Sequence, residues 1–163
     1  MTERSLERLW DLQEIRELAY RYAYAVDSRD FDLMASLFVD TPAQAPQPAV
    51  DIHVCRQMPD FFREIGPSTL FVGNHLIEFD GPDRAHGSVY CLAFVDANPF
   101  FDQAIIYQDL YERHGGKWMF LKRDHLLWWG QERTPNPMHQ AAANWPESQI
   151  GAGVALEWIR RRA

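Results

Sequence analysis

Four runs in which apolar and polar residues alternate, 70–79, 85–95, 103–113 and 117–129, constrain this chain more than any other feature. A period of two sends successive side chains to opposite faces of a strand. The interruptions are Asp80-Gly81-Pro82-Asp83, Ala97-Asn98-Pro99 and His114-Gly115-Gly116. They are turn signals, too short for a crossover, so the four strands form an antiparallel meander.

The upstream half has a different period. Leu12, Ile15, Ala19, Tyr22 and Val26 recur at threes and fours within residues 5–26, the stripe of an amphipathic helix, with Tyr20, Tyr24 and Asp27 beside it. Ser28 is placed to cap a second helix whose buried side is Phe31, Met34, Leu37 and Phe38. Residues 41–48 hold three prolines and read as a loop; 51–56 read as a short strand. Pro59 opens a third short helix with Phe61, Phe62 and Ile65, closed by Gly66-Pro67. Helices first and long strands after them predict an α+β domain over 1–130, the helices closing one face of a strongly curved antiparallel sheet. Residues 131–148, rich in Pro, Asn and Gln, read as an extended arm, and a short helix follows near 152–162. This arm belongs to the same domain or to an oligomer interface.

Composition excludes some classes of function. With a formal net charge of -7, the surface lacks the clustered cations that bind nucleic acid. The basic triplet Arg160-Arg161-Arg162 reads as a helix end favoured by the dipole. Cys55 and Cys91 have no ligand-like spacing and read as reduced, buried thiols, so no metal and no cofactor is expected. No segment approaches the roughly 20 apolar residues of a membrane span, and residues 1–12 lack a signal-peptide core, so a cytoplasmic protein is expected. Nucleophile-elbow, P-loop and dinucleotide motifs are absent.

Asp27 is the best functional clue. An acid at the end of an aromatic helix can be carried under the mouth of a sheet, where burial raises its pKa toward proton-transfer work. Asp and Ser between two helices also serve as caps, so the window admits both roles.

The order of elements, with Asp27 before the second helix, the Gly73–Gly81 stretch GNHLIEFDG in the first long strand and Gly116-Lys117-Trp118 before the last, resembles the SnoaL-like group. That group belongs to the nuclear-transport-factor-2-like superfamily of cone-shaped α+β barrels. The resemblance covers about residues 6–130. It implies a cofactor-independent lyase or isomerase, dehydratase-like, in which a pocket Asp and a His act on a small hydrophobic or aromatic oxygenated molecule. Asp27 matches the aspartate of such enzymes, Tyr22 a tyrosine five residues before it, and Tyr107 a polar pocket position. The expected histidine, four residues before Asn74, is replaced by Leu70.

Strand alternation ranks the remaining imidazoles. His86 faces away from the apolar row Ala85, Gly87, Val89, Cys91, Ala93 and Val95, and His75, lacking the parity of Leu70, faces outward unless a bulge intervenes. His125 shares a face with Met119, Leu121, Arg123, Leu127 and Trp129, and becomes the candidate partner of Asp27. Arg123 can meet a ligand oxyanion or pair with Asp109, and Tyr22, Tyr24 and Tyr107 can donate to a carbonyl. His53, His114 and His139 are expected to be solvated. The alternative is a non-catalytic ligand-binding or accessory protein. The outer sheet residues Tyr90, Leu92 and Phe94 predict a homo-oligomer, dimer or trimer.

Overall fold

The computed structural model describes residues 6–40 and 49–137. Its elements are α1 (Leu6–Ser28), α2 (Phe31–Ser36), β1 (Ala49–Val50), α3 (Ile52–Phe61) with a 3₁₀ turn at Phe62–Glu64, β2 (Ser68–Phe79), β3 (Arg84–Val95), β4 (Phe100–His114) and β5 (Lys117–Arg133). All neighbours pair antiparallel in the order β1-β5-β4-β3-β2. The expected α+β cone, with helices packed on a curved sheet, is the observed fold. The expected arm and helix from residue 138 onward lie outside the described residues, and Gln131–Arg133 of that arm continue β5.

Three register shifts bend the sheet, one in β2 between Gly73 and Leu76 and two between β4 and β5, at Ala104/Ile105 and Leu110/Tyr111. Each extra residue turns the strand and switches which side chains face inward. Residues inside the curve join α1 and α2 in one core, where Tyr22 packs edge-on against Phe38, Phe120 and Tyr107 at 6.0–6.1 Å between centroids. The β4–β5 hairpin turns through Gly115 (φ +56°) and Gly116 (φ +80°), the left-handed pair a two-residue hairpin loop requires.

Local chemistry corrects five expectations. Asp51 is a helix cap, its carboxylate accepting from the N–H groups of His53 and Val54 at 2.9 Å, so only Ala49–Val50 is strand before α3. Pro59 consequently lies inside α3 rather than opening it, and His53 is a half-buried helix residue. Asp30, not Ser28, caps α2 by accepting from Leu33 N–H at 2.9 Å, while the Ser28 hydroxyl turns back to the Tyr24 carbonyl. On β5 the bulge beside Leu110/Tyr111 puts Trp118 and Phe120 inside instead of Met119 and Leu121, and Leu127 and Trp129, in the later part of the strand, are exposed like their neighbours Leu126 and Trp128.

Candidate active site

The residues after Asp27 decide where its carboxylate goes. Arg29 N–H bonds to Val26 O at 3.2 Å and Asp30 N–H to Ala25 O at 2.9 Å, the paired bonds of a left-handed helix stop. Arg29 occupies the left-handed position at φ +60°, where glycine is usual. Its guanidinium offsets that strain by donating to Val26 O at 2.9 Å, to Ser68 Oγ at 3.2 Å and to Gly66 O, and it lies 4.2 Å over the Phe62 ring. These bonds tie the end of α1 to the start of β2.

Asp27 is therefore turned onto β2 and does not cap α2. Its Oδ1 accepts from Ser68 Oγ at 3.2 Å, and both carboxylate oxygens accept from the Leu70 N–H, at 3.1 and 3.0 Å. Burial pushes its pKa from 3.8 up to about 6; the Leu70 and Ser68 hydrogen bonds and the Arg29 charge pull the other way and lose.

Ser68 and Leu70 are also wall residues of a cavity of about 280 Å³ inside the cone. Most of its lining is apolar, with Val26, Met58, Phe62 and Ile105 among the contributors, and the polar exceptions are Tyr22, Ser68, Gln103, Tyr107 and His125. Of the residues expected at the site, Tyr22, Leu70, Tyr107 and His125 line this space, and Asp27 reaches it through Ser68 and Leu70. Tyr107 and His125 are cross-strand partners with rings edge-on at 5.6 Å. One side of His125 meets solvent, yet crowding on the cavity side, and secondarily the Arg123 charge, lowers its pKa, so the ring is neutral at neutral pH. Burial raises the Tyr22 and Tyr107 hydroxyls well above their ordinary range, keeping both as donors.

Three expected residues lie elsewhere. Tyr24 is 37% exposed on the outer side of α1. Asn74 sits at φ +48° on the β2 bulge and lines a groove on the outer sheet face. Arg123 is wholly buried behind the cavity, its Nε and Nη2 donating to the two oxygens of Asp109 at 2.7 Å, with the rings of Tyr22, Tyr107 and Phe120 at 4.2–4.5 Å. Burial alone would lower its pKa, but Asp109 outweighs that and raises it. Of its two sequence readings, pairing with Asp109 is the observed one.

The sequence reading missed a buried chain that continues from this pair. The Tyr111 hydroxyl donates to Asp109 Oδ2 at 2.7 Å, and His75 Nε2 lies 2.9 Å from the same hydroxyl. With that hydrogen committed to Asp109, His75 Nε2–H is the donor. Burial lowers the His75 pKa to about 4, so it is neutral. His75 turns inward because the β2 bulge reverses its parity, and Gly87 makes room, since a Cβ there would meet the Leu76 carbonyl oxygen at 2.4 Å. Gln103 was missed as well, although its alternation in phase with Ile105 and Tyr107 is a signal that finds it. His86 faces outward, 2.8 Å from Asp80, and His114 is exposed. His139 lies outside the described residues.

Among the described residues no three His, Cys, Asp or Glu side chains converge as metal ligands, and no helix is long and apolar enough to cross a membrane.

Comparison with solved structures returns the same architecture. A candidate scytalone dehydratase from Novosphingobium aromaticivorans superposes with a TM-score of 0.65 at 19% identity, covering 82% of this chain and 97% of that one. A hexachlorocyclohexane dehydrochlorinase from Novosphingobium barchaimii gives 0.71 at 20% identity, covering 80% and 94%. A candidate dehydratase from Streptomyces avermitilis gives 0.58 at 15% identity, covering 72% and 96%. At such identities the likeness concerns the fold. No curated protein matches the sequence. A family model described as a SnoaL-like domain matches residues 7–124, most of the chain, and with the cone fold this places the protein in the SnoaL-like domain family.

Proposed function

We propose that the protein is a cofactor-independent lyase or isomerase, dehydratase-like, acting on a small hydrophobic or aromatic oxygenated molecule held in the cone. The observation that carries this reading is Asp27, a carboxylate bonded to the cavity-wall residues Ser68 and Leu70 with a pKa of about 6. Mostly ionised at neutral pH, yet poorly solvated, it is a competent general base. It takes a proton from carbon next to a carbonyl, and the electron pair moves onto the carbonyl oxygen. Tyr22, Tyr107 or neutral His125 donates to that oxygen. The pair then expels a β-hydroxyl, which leaves as water with the proton returned from Asp27; in an isomerase the proton returns to another carbon. The similar folds named as dehydratase and dehydrochlorinase support the same class.

A simple ketone suffices for the test in place of the natural substrate. Deuterium exchange next to the carbonyl of 2-tetralone, followed by NMR, reads proton abstraction directly. The protein accelerates it, and Asp27→Asn lowers the acceleration about 10²- to 10⁴-fold. Undiminished exchange in a folded Asp27→Asn variant removes Asp27 from the mechanism.

Leu70, in place of the relatives' histidine, favours a second reading, a cavity that binds a ligand without chemistry. Native mass spectrometry that returns a retained ligand unaltered would support it. The outer sheet face, where Phe71, Tyr90, Leu92, Trp128 and Trp129 border a groove of about 580 Å³, supports a homo-oligomer, dimer or trimer. A monomer mass independent of concentration in sedimentation would refute it.

A further inference from the structure

The cavity lining carries no carboxylate, ammonium or guanidinium of its own among the described residues. Two cations lie beside the wall, and each is already tied to a partner. Arg123 is wholly buried and its charge is compensated by Asp109, although its Nη1 has no hydrogen-bond partner among the described residues, and Arg29 donates to Val26 O, Gly66 O and Ser68 Oγ. Asp27 lies just behind the wall, so an anionic ligand meets repulsion without a counter-charge. A ligand that fits is uncharged, and 280 Å³ is the space of about nine water-sized groups.

Gln103 is the lining residue whose chemistry answers such a ligand. It lies on the inward face of β4 in phase with Tyr107, and its cross-strand partner Gly130 leaves open the space through which its side chain passes, a Cβ there falling 3.4 Å from Gln103 Cγ. No hydrogen bond within the described residues engages its amide. The amide offers two donors and an acceptor in a wall otherwise dominated by hydrocarbon.

We propose that Gln103 is a specificity-determining residue, binding the carbonyl oxygen of an uncharged, ring-sized ligand through its side-chain amide and setting that oxygen on the β4–β5 side of the cavity. The inference rests on the cavity being the binding site, and it is tested by binding alone. Asp27 chemistry can fail without touching it. The probes are 2-tetralone, its hydrocarbon counterpart tetralin and tetralin-2-carboxylate, titrated against the full chain by ligand-observed NMR. One neutral hydrogen bond predicts that 2-tetralone binds about three- to tenfold tighter than tetralin. The carboxylate binds more weakly than the ketone. Gln103→Met, unbranched and of similar length, removes the ketone-over-tetralin preference while tetralin affinity stays within about twofold. A merely structural Gln103 would weaken both neutral probes together. If Gln103→Met does not fold, Gln103→Asn, which withdraws the amide by one methylene, reads the same ratio. An unchanged ratio in the variant, or no preference in the wild type, overturns the assignment. Failure of both neutral probes to bind overturns the cavity reading and this inference with it.

Discussion

Asp27→Asn makes a protein that is more stable at neutral pH and less able to abstract a proton. The carboxyl moves from 3.8 to about 6 on folding because burial disfavours its charge. A group with a raised folded pKa binds protons more readily in the native state, so stability is lost as pH rises from about 4 through 6 and the full penalty applies above 6. That displacement corresponds to about 3 kcal/mol, and partial solvent access together with Arg29 nearby reduces it to about 2 kcal/mol. Asparagine carries no charge to desolvate, and its amide oxygen can still accept from Leu70 N–H. Urea unfolding of both proteins at pH 4, 5, 6 and 7.5 reads the prediction. The variant matches the wild type at pH 4 and gains about 2 kcal/mol by pH 7.5, with a melting temperature higher by about 4–8 °C. A stable substitution that abolishes proton transfer marks a residue kept for function at a cost in stability. If the asparagine variant is instead less stable by a similar amount at every pH, Asp27 serves to anchor β2 and the catalytic reading loses its support.

Arg123→Met removes one partner of a wholly buried pair and leaves the Asp109 charge uncompensated, so a loss of about 3–5 kcal/mol is expected in urea unfolding; a loss under about 1 kcal/mol would refute the reading that the pair is held by mutual charge compensation. Gly87→Ala drives a Cβ to 2.4 Å from the Leu76 carbonyl oxygen. A clash with backbone cannot be relieved by a rotamer change, so about 1–3 kcal/mol is lost and the His75–Tyr111 contact is disturbed, visible as a shifted His75 ring signal in NMR. Raising pH from 5 to 7 increases deuterium exchange in step with ionisation of Asp27, with a midpoint near 6; a flat profile across that window excludes Asp27 as the base.

Much of the architecture was legible because it rests on local signals. The two-residue period of the four long strands, the Gly115-Gly116 turn and the apolar stripe from Ile15 to Val26 each encode their element without help from distant residues. The third helix was misread because its start depends on the Asp51 cap, which overrides the weak alternation of 51–56. Bulges are where the reading of faces broke down. A single extra residue near Asn74 brings His75 inside, and another near Leu121 reverses the inward row of β5, so every parity argument holds only up to the next bulge.

Asp27 shows the division most directly. Its residue type, its place at the end of α1 and the absence of a histidine at Leu70 are properties of the sequence alone. Whether it caps α2 or turns onto the cavity wall at Ser68 and Leu70 depends on Arg29 adopting a left-handed conformation and bonding to Gly66 and Ser68, 37 and 39 residues away. Desolvation depends likewise on what surrounds the carboxylate after the sheet has curled over it. Periodicity and turn chemistry are local, and a one-dimensional pattern can hold them; burial, bulge register and long-range hydrogen bonds are three-dimensional, and only the packed chain decides them.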